Sequence, residues 1–178
     1  MDDKKYWEKF YRNKPTKRHR PFADFVLPII NGNLIDIGCG DGRDLYYFIK
    51  KRIPAIGVDN AHKNTTAIVK QDIGEYLQKN ESPSFVYARF FWHAIDRRLQ
   101  LQILKWTKKY IFIEARTTED KRTKKIFENH ERHYVDVPRL VKDLKNNNFQ
   151  IEHLTEGRGL SRYKEEDPHL VRIIAKKN

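Results

Sequence analysis

The sequence predicts an α/β fold in which a mostly parallel sheet carries helices on both faces. Apolar runs of strand length alternate along the chain with helical stretches, which is the rhythm of β-α-β units. A glycine-rich turn joins the first apolar run to the helix that follows it. A chain of 178 residues is also long enough to bury both faces of one sheet.

The apolar runs and the segments around them define the predicted elements in order. The predicted strands cover residues 34–37, 55–58, 66–69, 84–91, 110–116, 149–154 and 169–175. The predicted helices cover residues 3–13, 21–28, 43–49, a short segment through 76 and 77, a segment from about 95 to 109, and 137–148. The last two strands are most simply an antiparallel pair that closes the sheet. Residues 117–134 are highly charged and predict a loop or a helical flap.

The turn after the first strand contains Gly38, Gly40 and Gly42, which permit left-handed torsions and close approach of a ligand. The following helix points its free N–H groups and the positive end of its dipole into this turn, so the turn attracts an anion. A dinucleotide-binding turn has glycine or alanine at the sixth position of G-x-G-x-x-G, where this chain has Arg43. A dinucleotide site and a turn without a ligand are therefore the minor alternatives.

Charge and cysteine content restrict the class of protein. The formal net charge of +12 fits either a surface for phosphate-bearing substrates or a solvated basic face, because the basic residues are spread along the chain. The single cysteine, Cys39, excludes an internal disulfide and fits a reducing compartment. No apolar run reaches membrane-spanning length and the N-terminus is unlike a signal peptide, so a cytoplasmic protein without a membrane partner is expected.

Two acids accompany the glycine turn: Asp36 near the end of the first strand and Asp59 at the end of the second. Together with Gly38-x-Gly40-x-Gly42 they resemble the class I S-adenosylmethionine (SAM) methyltransferases. This resemblance implies a Rossmann-like, seven-stranded sheet, mostly parallel with the last strand antiparallel. It also implies an enzyme that uses SAM as its cofactor. The expected organisation is one domain, residues 1–178, in which residues 1–28 form a helical cap or lid.

A narrower resemblance rests on two segments, Pro21-Phe22-Ala23-Asp24-Phe25 and the turn from Asp36 to Asp44. These segments resemble a compact subgroup that includes tellurite-resistance and thiopurine-type methyltransferases and small methyltransferases associated with polysaccharide modification. The chain has Asp41 where this subgroup commonly has Asn, and Arg20-Pro21 where it commonly has Pro-Ser.

The resemblance assigns roles around the cofactor. The glycine turn lies against the methionine part of SAM, Asp36 reads its amino end and Asp59 holds the ribose hydroxyls. Asp72 matches the acid that reads the adenine amino group, although capping of the next helix explains an aspartate there equally well. Trp7 matches a lid aromatic, or belongs to an ordinary amphipathic helix. The implied cofactor set is Trp7, Asp36, Gly38, Cys39, Gly40, Gly42, Asp59, Asn60, Asp72, Ile73 and Arg89.

The methyl acceptor is expected at the carboxyl ends of the fourth and fifth strands, because ligands of open α/β sheets collect at that edge. The candidate residues there and in the flanking loops are Arg89, His93, Glu114, His133 and Arg158, which we expect to line one cleft. A hydroxyl acceptor would need a base such as His93 or His133. An anionic acceptor would instead need orientation by Arg89, Arg116 or Arg158.

Three functions follow from these observations. O-methylation of a small or glycan-linked, anionic acceptor is favoured because the chain has no separate nucleic-acid-binding module. An RNA methyltransferase is the alternative that the basic charge supports. A SAM-binding protein without catalysis is the third. The scattered histidines and the single cysteine show no metal-ligand spacing, so no metal site is expected.

Overall fold

The computed structural model describes residue 5, residue 8 and residues 21–122, 133–162 and 165–178. Within these residues the chain forms one seven-stranded sheet with helices on both faces. The strands are β1 (Leu34–Ile37), β2 (Ala55–Asp59), β3 (Ile68–Lys70), β4 (Phe85–Arg89), β5 (Tyr110–Arg116), β6 (Phe149–Gly157) and β7 (Leu170–Lys177). The α-helices are α1 (Pro21–Val26), α2 (Arg43–Lys50), α3 (Ile73–Lys79), α4 (Arg97–Trp106) and α5 (Val137–Asn146).

The strand order across the sheet is β3-β2-β1-β4-β5-β7-β6. Strands β1 to β5 pair in parallel, whereas β7 is antiparallel to both of its neighbours, β5 and β6. The prediction of a mostly parallel sheet with an antiparallel last strand is confirmed. The direction of strand progression reverses between β1 and β4, and open α/β sheets bind their ligands at such a point.

Two apolar clusters hold the helices on the sheet. On one face, Phe22 of α1 and Phe48 of α2 pack against strand residues that include Phe85 and Phe112. On the other face, α3, α4 and α5 pack against the strand side chains that alternate with Phe85 and Phe112 along β4 and β5. All four residues of β1 are buried, as expected for a parallel strand that is covered on both sides. Burial of one large apolar side chain, such as that of Phe22 or Phe48, stabilises the fold by about 1.5–3 kcal/mol.

Two elements around β4 end earlier than the sequence predicts. β4 stops at Arg89 because Phe90 has φ of 55°, a left-handed conformation that does not continue a strand. The helix predicted from about 95 to 109 is shorter, since α4 ends at Trp106, and a 3-10 turn, Trp92–Ala94, precedes it. The carboxylate of Asp96 accepts the Leu99 N–H at 2.8 Å, and this N-cap defines the start of α4.

The outer strands also differ from their predicted limits. β3 begins two residues late because Thr65 Oγ1 accepts the N–H groups of Ala67 and Ile68 and so holds the preceding residues in a turn. β6 and β7 extend beyond their predicted ends because they pair with each other along nearly their whole length, from Phe149 opposite Lys177 to Gly157 opposite Leu170.

The predicted N-terminal helix, residues 3–13, lies outside the described residues apart from Lys5 and Glu8. Glu8 Oε1 is 3.1 Å from Lys70 Nζ, so residue 8 lies at the carboxyl end of β3. In the predicted flap, Thr118–Arg122 forms a 3-10 helix and residues 123–132 are outside the described part. No helix among the described residues is long and apolar enough to cross a membrane.

Candidate cofactor and acceptor site

The turn between β1 and α2 has the backbone conformation that its glycines predict. Gly38, Gly40 and Gly42 have φ of 67°, 58° and 78°, in the left-handed region that other residues rarely adopt. The Gly38 N–H donates to the carbonyl of Val58 at 2.8 Å, which ties the turn to β2. Space is a further requirement, because a Cβ on Gly38 would lie 2.1 Å from the Phe91 ring. The turn therefore admits no side chain at position 38.

Asp59 joins the end of β2 to this turn. Its Oδ2 accepts the Gly40 N–H at 2.9 Å, and its Oδ1 accepts the N–H groups of Ala61 at 2.8 Å and His62 at 3.2 Å. A carboxylate offers about four lone-pair directions, so these bonds leave about one for a further donor. The geometry therefore fixes Asp59 beside the turn and leaves it able to accept from a hydroxyl.

Asp36 is directed toward the start of α2. It is only 3% exposed. Burial raises its pKa well above the usual range, the nearby carboxylates of Asp44 and Asp59 raise it further, and Arg43 and the backbone of Leu45 oppose them. Asp36 is therefore buried among the charged residues at the start of α2. Contact with the amino end of SAM stays a prediction.

Three more residues of the implied cofactor set follow the ends of β2 and β3. Asp72 is exposed and caps α3, since its carboxylate accepts the Glu75 N–H at 3.2 Å. Ile73 is buried in the core, and Asn60 is exposed. The capping role of Asp72 is thus present in the structure. Its adenine contact and the cofactor contacts of Asn60 and Ile73 stay predictions.

Cys39 fills space between the turn and β2. A Cβ at Gly57 would lie 2.6 Å from its sulfur, so the thiol occupies the room that this glycine leaves. Burial raises the pKa of the Cys39 thiol, and the carboxylates of Asp36 and Asp59 raise it further. The thiol therefore stays neutral, as a small packing group does. Trp7, also assigned to the cofactor, lies outside the described residues.

On the acceptor side, Glu114 of β5 lies level with Arg89 of β4 and Arg172 of β7. Arg89 Nε donates to Glu114 Oε1 at 2.7 Å, and Arg172 Nε donates to Oε2 at 2.6 Å. Glu114 is 0% exposed, and burial raises its pKa to about 7 although Arg172 lowers it. Both oxygens of this enclosed carboxylate are engaged within the protein, and its predicted place in the acceptor cleft stays a prediction. We call these three residues the Arg89–Glu114–Arg172 triad.

Arg89 has further partners within the protein. Its Nη1 is 3.6 Å from Asp44 Oδ2, and its Nη2 donates to Ser161 Oγ at 2.8 Å. Asp44 is itself bound by Arg43 at 2.8 Å and by the Tyr87 hydroxyl at 3.0 Å. The guanidinium of Arg89 is therefore compensated by carboxylates on two sides. Its predicted contacts with the acceptor and with the cofactor stay predictions.

The connection between β6 and β7 is fastened to the same edge of the sheet. Arg172 Nη2 donates to the Leu160 carbonyl at 2.6 Å, and Arg89 binds Ser161. Arg116, at the end of β5, forms ion pairs with Asp120 at 2.6 Å and with Glu166. Through Leu160, Ser161 and Glu166, the described part of the connection is thus bonded to residues of β4, β5 and β7.

His93 follows β4 and is 4% exposed. Its Nδ1 lies 3.2 Å from the backbone nitrogen of Arg116, which donates to it. Because a backbone N–H can only donate, Nδ1 is unprotonated and the neutral ring carries its proton on Nε2. In this arrangement Nε2 is a donor, and His93 cannot take a proton there. The His133 N–H donates to the His93 carbonyl at 2.8 Å, whereas the His133 side chain is exposed.

Arg158 lies on the surface of the β6–β7 connection. Its Nη1 donates to the carbonyl of Asp167, whose carboxylate also accepts from Gly159 at 2.7 Å and pairs with Arg162 at 3.0 Å. These contacts stabilise the connection locally. The structure thus joins Arg89 to Glu114 and His93 to the backbone of His133, while the described bonds of Arg158 are within its own loop. A common cleft for all five stays a prediction.

Three members of the buried network, Asp44, Tyr87 and Arg172, were not assigned to the site from the sequence. Two of them were detectable in part. Arg172 interrupts the apolar run of the last strand, and a charged residue inside a buried strand needs a partner. Tyr87 lies two positions before Arg89 and therefore shares its face of the sheet.

The strand order and the glycine turn define the fold of the class I SAM-dependent methyltransferases. No protein-family model and no curated protein sequence matches the chain. Similar solved structures include a SAM-dependent methyltransferase from Archaeoglobus fulgidus, with 20% identity, a TM-score of 0.64 and coverage of 99% of this chain and 100% of that one. TehB from Haemophilus influenzae has 16% identity, a TM-score of 0.69 and coverage of 98% and 67%.

Another similar structure is the magnesium protoporphyrin IX methyltransferase ChlM from Synechocystis PCC 6803 with bound SAM. It shares 12% identity with this chain at a TM-score of 0.65, with coverage of 100% of this chain and 98% of that one. At sequence identities this low, the structural similarity establishes the shared fold alone. The fold implied by the sequence resemblance is therefore confirmed.

Proposed function

We propose that this chain is a SAM-dependent methyltransferase. The observation that carries the proposal is the bond from Gly40 N–H to Asp59 Oδ2, 2.9 Å long, which joins a left-handed glycine turn to the acid at the end of β2. In the fold described above, this pair stands at the carboxyl edge where the strand order reverses.

The residues at this edge fit SAM chemically. Gly38, Gly40 and Gly42 have no side chains that would keep a ligand from the backbone of the turn, and the N-terminus of α2 offers positive potential to a carboxylate. Asp59 keeps an acceptor position for a ribose hydroxyl. The combination supports binding of an amino acid joined to a nucleoside.

The chain's own residues supply alignment more than acid–base chemistry. SAM, when bound, provides a methyl group on a cationic sulfur that is already a good leaving group. Holding the nucleophile in line with it can contribute several kcal/mol. His93 is a donor at Nε2 and Glu114 is enclosed, so neither of these buried groups is arranged to remove a proton. The exposed side chain of His133 stays a candidate base for a hydroxyl.

An acceptor that is already anionic needs no base. We therefore infer O-methylation of a small or glycan-linked acceptor that carries a carboxylate or another ionised oxygen. The fixed β6–β7 connection supports a bounded acceptor site at the ends of β4 and β5. A small molecule fits such a site better than a folded polymer.

Two measurements test this proposal. Isothermal titration calorimetry of the folded protein should give binding of SAM and of S-adenosylhomocysteine (SAH) in the micromolar range. A screen with methyl-labelled SAM against carboxylates, nucleotide sugars, glycan fragments and total RNA should then find a methylated product. Folded protein that binds neither ligand would refute the proposal, and binding without any turnover would favour a SAM-binding protein without catalysis.

RNA methylation is the second candidate, and the net charge of +12 favours it. Binding of RNA through many phosphate contacts weakens steeply with salt, because each contact releases counterions. Retention of labelled RNA measured from 50 to 300 mM salt separates the two. A steep loss of RNA retention as the salt concentration rises, together with RNA methylation, supports this candidate. Absence of RNA retention at low salt excludes it.

A further inference from the structure

A pocket of about 360 Å³ lies on the α4 and α5 face of the sheet, between the first turns of these two helices. Its apolar walls are the side chains of Trp92, Val135 and Leu140. Volumes in this range are typical of pockets that bind small organic molecules. The helices follow β4 and precede β6, so their first turns are at the carboxyl edge of the sheet, where the cofactor site lies.

Among the described residues, cations outnumber carboxylates in this pocket. The charged ones are three cations, Arg97, Lys121 and Arg139, and two carboxylates, Asp136 and Asp143. Asp143 is paired with a cation, and Asp136 is a helix cap. Asp143 accepts two bonds from Arg97, at 2.8 and 3.2 Å, and Asp136 accepts the Arg139 N–H at 2.9 Å as the N-cap of α5.

The other two cations are available to a ligand. Lys121 and Arg139 are exposed, and in the described ranges neither side chain forms an ion pair. The first turns of α4 and α5 add the positive ends of two helix dipoles to the same space. Among the described residues, the pocket therefore combines a few buried apolar side chains with two cations that form no ion pair.

The pocket is connected to the glycine turn by three consecutive residues. The ring of Phe91 lies against Gly38, Trp92 forms the pocket wall, and His93 accepts the His133 N–H through its carbonyl at 2.8 Å. Gln100 holds this segment in place, since its amide donates to the Trp92 carbonyl at 2.8 Å. A molecule in the pocket is thus adjacent to the segment that separates it from the cofactor turn.

We propose that this pocket binds an anionic group of the methyl acceptor other than the oxygen that is methylated, a carboxylate or a phosphate monoester carried on an apolar body. The inference rests on the proposed function and specifies where its acceptor is held. Arg139 and Lys121 contact the oxyanion, and Trp92 and Leu140 contact the apolar part.

The test uses phenyl phosphate and phenylacetate as probes and benzyl alcohol as their neutral counterpart. Each is titrated by calorimetry or NMR into protein saturated with SAH. Both anions should bind saturably, and benzyl alcohol should bind at least tenfold more weakly. Arg139→Glu should weaken binding of the anions at least tenfold. The matched control is Arg98→Glu, which makes the same charge change in the first turn of α4 at an exposed residue outside the pocket and should change binding less than twofold.

Equal weakening by the two charge reversals would show a general effect of net charge and would overturn the pocket assignment. Binding of benzyl alcohol as tight as that of the anions, or saturation by neither anion, would also overturn it. SAH binding is measured on the same samples. Failure of the pocket assignment can therefore be distinguished from failure of the proposed function. If SAH binds and the anions do not, only the pocket assignment is lost. If folded protein does not bind SAH, the proposed function is lost.

Discussion

Arg172 Nε lies 2.6 Å from Glu114 Oε2, although the two residues are 58 positions apart in the sequence. Arg89 binds the other oxygen of the same carboxylate, so three neighbouring strands are joined by one buried acid. Loss of one member of such a buried set leaves uncompensated charge and costs several kcal/mol. The triad thus stabilises the strand ends on which the acceptor side of the site is built.

The titration of Glu114 should be visible in the stability of the protein. Because its pKa in the folded state, about 7, is above the usual value of 4.5, its favourable contribution is fully present below pH 4.5 and is lost as the pH rises through 7. Relative to Glu114→Gln, which does not titrate, the wild type should lose on the order of 3 kcal/mol across this window. Chemical unfolding of both proteins at pH 4.5, 6 and 8 measures this. Parallel pH profiles would contradict the prediction.

Gly38→Ala should disrupt the cofactor turn. The substitution adds left-handed strain of about 1–2 kcal/mol and a Cβ that meets the Phe91 ring at 2.1 Å. Gly159→Ala is the matched control, because Gly159 has φ of 79° but no atom within 4 Å of the added Cβ. Gly38→Ala should destabilise more than Gly159→Ala and weaken SAH binding at least tenfold. Addition of Phe91→Ala should recover part of the difference, and no recovery would show that the clash is not the cause.

Asp59→Ala should weaken binding of SAM and SAH at least tenfold and also lower the free energy of unfolding by about 1–3 kcal/mol, because three backbone N–H groups lose their acceptor. Asp72→Ala is the comparison, since Asp72 is exposed and accepts one N–H as a helix cap. It should cost about 1 kcal/mol of stability. Calorimetry and thermal unfolding without ligand measure both effects. Unchanged SAH affinity in Asp59→Ala would make Asp59 a purely structural residue.

The site was predictable where it depends on local sequence. The glycine turn, Asp36 and Asp59 are recognisable because spacing within one β-turn-α segment, and the end of the next strand, determine where they lie. The Arg89–Glu114–Arg172 triad depends instead on the register between strands that are distant in sequence. No local pattern shows that Arg172 will lie level with Glu114. The sequence therefore pointed to Arg89 and Glu114, did not assign Arg172 to the site, and could not predict that the three residues bind one another.

Individual hydrogen bonds explain the remaining differences between the predicted roles of residues and their positions in the structure. The position of Asp72 just after β3 is typical of both an adenine-binding acid and a helix cap, and only the bond to the Glu75 N–H shows the second role. His93 was assigned by residue type as a base. Its tautomer follows from the Arg116 N–H, which belongs to another strand and is not visible in the sequence around His93.

His93→Asn should retain activity, because asparagine preserves an oxygen acceptor near the position of Nδ1 for the Arg116 N–H. With an acceptor found by the labelled-SAM screen, kcat of His93→Asn should stay within about tenfold of wild type, and its pH profile should be unchanged. Loss of a general base would instead lower kcat about a hundredfold or more. His93→Ala should be less stable than His93→Asn because it leaves a buried N–H unpaired. A loss of kcat of about a hundredfold in His93→Asn, together with a changed pH profile, would assign the base to His93.

The insertion of β7 between β5 and β6 has a consequence for how the protein is made. Synthesis runs from the N-terminus, so β1 to β5 emerge from the ribosome first and can pair in parallel among themselves. β6 emerges next but has no neighbour in the sheet until β7 has been translated. Until then the open edge of β5 presents unpaired backbone groups and a carboxylate, Glu114, without its Arg172 partner. The acceptor side of the sheet is therefore complete only after β7 has been translated.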